Sequence, residues 1–223
     1  NEEWGTYLAA TVLRAFTYQV LVDCYEQVPY TEAMNTAYPS PKYDDGLTVY
    51  QGVIAEIDDA LAKASESDLV CNNFLFPSAG AQEWVRFANA LKLKMYMRIS
   101  GVADVQSAVD ALVAEGNFPT SDVAWMGCWT DEGGKANPYF SEEFGSYTSV
   151  QKNVSLNLAL QGTMSSYNDA RLAAFFDPSS NGNYTGAISG TNFSVSASDH
   201  GAGYWCRPAV RFNSPVYLIT VSE

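Results

Sequence analysis

The sequence holds one histidine, His200, in ASDHGAG. Any Ser-His-Asp or Cys-His site would have to use it. No Gly-x-Ser-x-Gly elbow accompanies it, and a loop histidine among polar neighbours reads as a solvated side chain. Adjacent acids occur at Asp44–Asp45, Asp58–Asp59, Asp131–Glu132 and Glu142–Glu143. Glycoside hydrolysis needs two carboxylates held several ångströms apart across a cleft, and neighbouring acids diverge on a helix. These pairs therefore read as solvated acidic faces. DPSSNGNYTGAI, residues 177–188, mimics the first half of an EF-hand loop through Asp177, Ser179, Asn181 and Gly182. Its last position is Ile188, where a bidentate Glu is required, so it is not an EF-hand. There is no phosphate-binding glycine loop. No metal or cofactor is expected.

Four cysteines, Cys24, Cys71, Cys128 and Cys206, are far apart and form no Cys-x-x-Cys. They read as buried free thiols, with one or two disulfides open to an exported protein. The remaining chemical signal is aromatic. Fourteen Tyr, eleven Phe and five Trp are too many rings to be hidden completely. Trp125, Trp129, Tyr184, Tyr204 and Trp205 stand beside Gly, Asn and Asp. Rings in such company suit sugar binding: the apolar face of a pyranose stacks on the ring, while amides and carboxylates take the hydroxyls. The structural alternative is that the same rings plug gaps between loops and helices.

The elements that must position these rings are mostly helices. In 4–23, Trp4, Leu8, Val12, Ala15, Phe16, Gln19 and Val20 follow helical spacing, and Pro29 closes the segment. YPSPKYDDG, 38–46, is a loop by composition. A second helix fits 48–64, with Thr48 as its cap and Val49, Val53, Ile57, Ala60, Leu61 and Ala64 on one stripe. The third, 83–101, buries Trp84, Phe87, Ala88, Leu91, Met95 and Ile99, and Val85, Ala90, Leu93 and Met97 widen its apolar surface. A helix greasy on two sides is packed between neighbours, and its cations Arg86, Lys92, Lys94 and Arg98 snorkel from the rim. A fourth fits 103–115, with Val105, Ala108, Val109, Leu112 and Val113 inward.

From residue 117 the character changes. Ten of the sixteen glycines fall there, in loops and short strands of Gly, Ser, Asn, Asp and Tyr. One further helix is expected at about 152–166. The chain thus reads as a mainly α protein with a single, incomplete domain. Residues 1–116 form a helical scaffold, and 117–223 form a loop-rich, ligand-facing segment carrying short strands.

The formal net charge is −13. An acidic body repels a phosphate backbone, which excludes nucleic acid as a partner, and the same sign disfavours anionic lipid. No apolar run reaches the roughly 18 residues of a membrane span.

With these residues in view, the chain resembles the SusD/RagB family of outer-membrane nutrient-binding lipoproteins. YEQVPYTEA, 25–33, is similar to the family's Tyr-Gly-x-Val-Pro-Tyr-x-Glu-Ala, with Glu26 where Gly is frequent. PKYDDGLTVYQGVIAEIDDALA, 41–62, matches its Pro-x-Tyr-Asp loop and following helix. EWVRFANALKLKMYMRIS, 83–100, resembles its Trp-x-Lys-Phe-Ala-Asn-Ser-Leu-Lys-Leu-Arg helix and is the most specific of the matches. NDARLAAFFDP, 168–178, resembles the Asp-Pro-Arg-Leu stretch, with Ala170 in place of Pro.

The resemblance implies tetratricopeptide-like helix pairs under a loop-rich face, and binding without enzymatic turnover. It implies an oligosaccharide or other nutrient as ligand and a SusC-type TonB-dependent transporter as partner. It also implies a surface-exposed outer-membrane lipoprotein, held by an N-terminal lipid anchor that this chain lacks, and hence a fragment of a longer protein. Cations such as Arg86 and Arg98 are expected to pair with acids on adjacent helices. The family's ligand residues lie in variable loops, so none transfers by motif. A helical-repeat module whose concave face binds a peptide or protein partner, with no small ligand, is the second reading of the same helices. A hydrolase acting through paired acids is the third.

Overall fold

The computed structural model describes residues 3–125, 129–143, 158–178, 182–184, 186, 207–208 and 216–219. Two compact units emerge: residues 1–125 with 217–223, and residues 126–216. In the first unit, α1 runs Trp4–Tyr25, α2 Gly46–Lys63, α3 Gln82–Ile99 and α4 Gln106–Glu115, followed by β1, Val123–Trp125. β4, Val216–Ile219, pairs with β1. The second unit holds α5 (Pro138–Glu143), α6 (Leu158–Ser166), α7 (Arg171–Phe175), β2 (Phe176–Asp177) and β3 (Arg207–Pro208). β2 and β3 pair antiparallel, with Phe176 opposite Pro208. Of the helix expected at 152–166, residues 158–166 are helical and 152–157 lie outside the described residues.

The directions of the first three helices follow from their cross-links. Tyr7 donates to Asp59, Arg14 pairs with Glu56, and Tyr50 donates to Asp23. The start of α1 therefore meets the end of α2, and the two are antiparallel. Arg98 reaches Asp23 while Lys92 reaches Asp58, so α3 runs parallel to α1 and antiparallel to α2. Between them lies one core, built from Leu8, Val12, Ala15, Val49, Val53, Ile57, Phe87, Leu91 and Met95, each nearly or wholly removed from water. Leu218 and Ile219 of β4 pack against it.

The six residues expected to line α3, Trp84, Phe87, Ala88, Leu91, Met95 and Ile99, are all buried. Val85, Ala90 and Leu93 are half-buried, but Met97 is exposed, so the second greasy flank is narrower than its composition suggests. On α1, Val20 is exposed and Val22 takes the buried position near the end. On α4 only Leu112 is fully buried; Ala108 and Val109 are half-buried, Val105 packs against the core from the helix start, and Val113 faces water.

The cations of α3 are accounted for individually. Lys92 pairs with Asp58 on α2 and Arg98 with Asp23 on α1. The Lys94 ammonium lies 5.4 Å from the Phe16 ring centroid, and burial pushes its pKa down. Arg86 pairs within its own helix, with Glu83 at 2.5 Å, not across to a neighbour as expected. The i,i+3 partner is already in reach at the helix surface.

The acidic pairs Asp44–Asp45 and Asp58–Asp59 are likewise in structural use, Asp58 with Lys92 and Asp59 with Lys63. Asp45, not Thr48, caps α2, its carboxylate accepting the Thr48 N–H at 3.0 Å. Asp44 is buried rather than solvated. Its carboxylate accepts the Thr31 N–H at 2.7 Å, the Tyr30 N–H at 3.2 Å and the Thr31 hydroxyl at 2.9 Å. Its backbone bridges Val28 in both directions, so one aspartate closes the 26–45 loop. Those donors, Thr31 N–H foremost, hold its pKa below the ordinary value. Cys24 and Cys71 are free thiols but exposed, against the expectation of burial; Cys128 and Cys206 lie outside the described residues.

Glu26 ends α1 with φ +64° and ψ −50°, its N–H donating to the Val22 carbonyl at 2.8 Å. The Gln27 N–H closes a tight turn on the Tyr25 carbonyl at 2.7 Å, and an L side chain held at such a positive φ costs roughly 1–3 kcal/mol, of which glycine avoids most. Glycine returns part of that gain through a freer unfolded chain. Glu26→Gly is accordingly expected to stabilise the chain by about 0.5–1 kcal/mol in denaturant titration. A loss of stability would show that the Glu26 side chain does something its exposed position does not reveal.

Candidate functional site

Several aromatic rings of the first unit are engaged by neighbours, while Tyr25, Tyr43 and Phe74 stand exposed. The Arg14 guanidinium lies 5.3 Å from the Tyr18 ring and 5.8 Å from Tyr30. Those two rings meet edge-on at 5.2 Å, and the Tyr30 hydroxyl donates to Glu56 at 2.7 Å. Burial first and the neighbouring Glu56 carboxylate second push the Tyr30 pKa up. At the other end of the pair, Lys63 sits over both Trp4 and Tyr7, and its ammonium pairs with Asp59. Trp84 donates its indole N–H to Asn73 at 3.0 Å and meets Phe76 edge-on. These rings carry packing and cation contacts, not open platforms.

Of the five rings expected to bind ligand, Trp125 is half-buried in β1 of the first unit. Trp129 and Tyr184 are half-buried in the second. The Trp129 indole N–H is enclosed and has no acceptor among the described residues. Tyr204 and Trp205 lie outside the described residues, as does His200.

The second unit also holds an open groove that the sequence reading passed over. It encloses about 410 Å³ between α6 and α7, with Leu160, Met164, Tyr167, Asp169, Arg171 and Phe175 on its walls. α6 ends in a tight turn: the Asn168 N–H donates to the Ser165 carbonyl, and the Asp169 N–H to Met164 at 2.9 Å. Asn168 takes φ +50°, a conformation that Asn tolerates better than most residues. This turn directs the chain back so that α7 starts immediately, its first residue held by Asp169.

The Asp169 carboxylate accepts from the Arg171 N–H at 3.0 Å, from Nε at 3.0 Å and from Nη2 at 2.7 Å. Side-chain donation from Arg171 first, and the Arg171 backbone N–H second, hold its pKa down at about 2. Because the folded value is depressed, the pair is fully formed above the ordinary value of 3.8 and is lost only as pH falls through about 2. Tyr167 and Phe175 are 80% and 53% exposed. The signal that could have flagged this turn was Asn-Asp straight after a helix and a tyrosine.

Among the described residues no group of three or more His, Cys, Asp or Glu could hold a metal ion. No described helix is long and apolar enough to cross a membrane.

The fold recurs in solved structures. A SusD homologue from Bacteroides uniformis superposes with a TM-score of 0.80 at 21% identity, covering 96% of this chain and 45% of its own. A chitin-binding SusD homologue from Flavobacterium johnsoniae gives 0.75 at 23% identity, covering 96% and 45%. A SusD-like protein from Bacteroides thetaiotaomicron gives 0.73 at 23%, with the same coverage. The chain thus spans a little under half the length of these relatives. Comparison with curated proteins gives no match. With the helix pairs, the clasped 26–45 loop and the α3 stripe in place, the match of residues 2–223 to the SusD-like family model, described as "Starch-binding associating with outer membrane", shows that the chain belongs to that family.

Proposed function

We propose that the chain is part of a cell-surface glycan-capture protein that hands oligosaccharide to a SusC-type TonB-dependent transporter in the outer membrane. The family match over residues 2–223, to a family described by starch binding and outer-membrane association, carries this reading. Capture needs aromatic platforms flanked by hydrogen-bonding groups, not a nucleophile or a metal. Trp125, Trp129, Tyr184, Tyr204 and Trp205 are proposed to supply ring faces, in a loop-rich segment, 117–223, carried by the helical scaffold. The net charge of −13 favours a neutral ligand over a polyanion.

Hand-over is tested by affinity purification of the full-length protein from detergent-solubilised outer membranes, with mass spectrometry of what it retains. A TonB-dependent barrel in stoichiometric amount is the expected partner, and its absence from a preparation that still holds glycan would leave capture without delivery. Retention of a soluble protein or peptide in its place, with no glycan bound, would favour the protein-interaction module instead.

A further inference from the structure

We propose that the α6–α7 groove of the second unit is a subsite for a neutral sugar, with Tyr167 and Phe175 as stacking faces and the Asp169–Arg171 pair as its hydrogen-bonding edge. The proposal rests on the glycan-capture reading and names a place for it that the five rings read from composition do not include. Three observations carry it. First, Tyr167 and Phe175 are open: neither enters a ring stack or cation contact among the described residues, whereas Trp4, Tyr7, Tyr18 and Tyr30 are covered by cations of their own unit. Large rings left in water at a groove are the residues that gain most from a ligand's apolar face. Second, the groove is of ligand size, about 410 Å³, within the range of roughly 300–1,000 Å³ usual for small-molecule sites.

Third, its charges cancel. Arg171 and Asp169 form a bidentate pair, so the groove offers no net attraction to an anion or a cation. The pair still offers polar edges. Arg171 uses Nε and Nη2 on Asp169, leaving the Nη1 donors, and the guanidinium side chain is 71% exposed. The Tyr167 hydroxyl both donates and accepts. Open rings beside paired, partly unsatisfied polar groups suit a polyhydroxylated ring with one apolar face, and fit poorly to phosphate, lipid or peptide carboxylate.

The test is a neutral-glycan array including starch and chitin oligosaccharides, followed by calorimetry on whichever glycan the full-length protein retains. Tyr167→Ala and Phe175→Ala are each expected to weaken binding roughly tenfold, about 1.4 kcal/mol. Tyr167→Trp should restore it, since it keeps the stacking face. Tyr25→Ala is the control, because Tyr25 is 71% exposed but lies on the first unit. Truncating Tyr167 removes a side chain already in water, so folding is not at issue. Binding left unchanged by Tyr167→Ala and Phe175→Ala overturns the subsite while leaving glycan capture intact. Loss of binding in Tyr25→Ala as well removes the groove's claim to specificity and overturns it too. No retention of any neutral glycan by the unsubstituted protein overturns both the subsite and the capture reading.

Discussion

Phe87→Ala is expected to destabilise the first unit by about 3–5 kcal/mol. Its ring is fully removed from water, with centroids 6.5 Å from Phe16 on α1 and 6.0 Å from Trp84 on its own helix. The site cannot collapse easily, because Phe87 belongs to one core shared by α1, α2 and α3 with Leu8, Val12, Val53 and Ile57; the Arg14–Glu56, Lys92–Asp58 and Arg98–Asp23 pairs lie at its rim. Alanine would therefore leave a cavity as well as lose the transfer energy of the ring. A total stability of about 5–15 kcal/mol makes this a large share.

The rim pairs themselves weigh far less. Arg98 and Asp23 are 48% and 27% exposed at their side chains. Partly solvated pairs of this kind contribute about 0–1 kcal/mol. Phe87→Leu should cost under about 1.5 kcal/mol, since most of the volume remains. Denaturant titration followed by tryptophan fluorescence distinguishes the cases, Trp84 being the adjacent reporter. If Phe87→Ala shifted stability by less than about 1 kcal/mol, α3 would not be held between its neighbours as the packing indicates.

That α3 is held in this way was readable from spacing alone. Six apolar residues at three- and four-residue intervals, with Trp and Phe among them, leave a single helix face that must be buried, and all six are. The 3.6-residue period is over-determined there. On α4 it is not: Val105, Val109 and Val113 sit at helical spacing, yet the first two are only half-buried and the third is exposed, because spacing says which residues share a face and not how deeply it is covered. Polar burial was equally hidden. Asn89 is 2% exposed because its side-chain amide donates to the Asn117 carbonyl at 3.0 Å. Asp44 is buried because three donors from residues 30 and 31 converge on it. Both depend on a partner brought in by the tertiary fold.

The groove was less legible still. Tyr167, Asp169, Arg171 and Phe175 read locally as a helix end and a short helix start. Only the Asn168 turn brings them to one wall. Composition could point to rings in Gly- and Asn-rich loops, but it could not tell an open ring from a covered one. The contact of a neighbouring lysine or arginine decides that, as Lys63 over Trp4 illustrates.

Gly5→Leu is expected to cost about 3 kcal/mol, although leucine is among the better helix formers. Gly5 lies in the first turn of α1 and is buried. A Cβ there would stand 2.6 Å from the Leu69 carbonyl oxygen and 3.0 Å from the Asp68 Cβ. The first of these is backbone and cannot swing aside as a side-chain tip would. It is also braced: the Asp68 carbonyl accepts the Ala81 N–H at 2.9 Å, and the Asp68 carboxylate accepts the Ser65 N–H at 2.9 Å. The 65–81 loop would have to retreat from α1 as a unit. Replacing glycine in a helix gains roughly 0.5–1 kcal/mol from propensity, so the sign of the net effect reads out which term wins. Ala10→Leu is the matched comparison, placing the same side chain on the exposed side of α1, where a change within about 0.5 kcal/mol is expected. A stabilised Gly5→Leu in the same titration would mean that the 65–81 loop yields freely, and that the close approach of α1 to Leu69 contributes nothing to holding it.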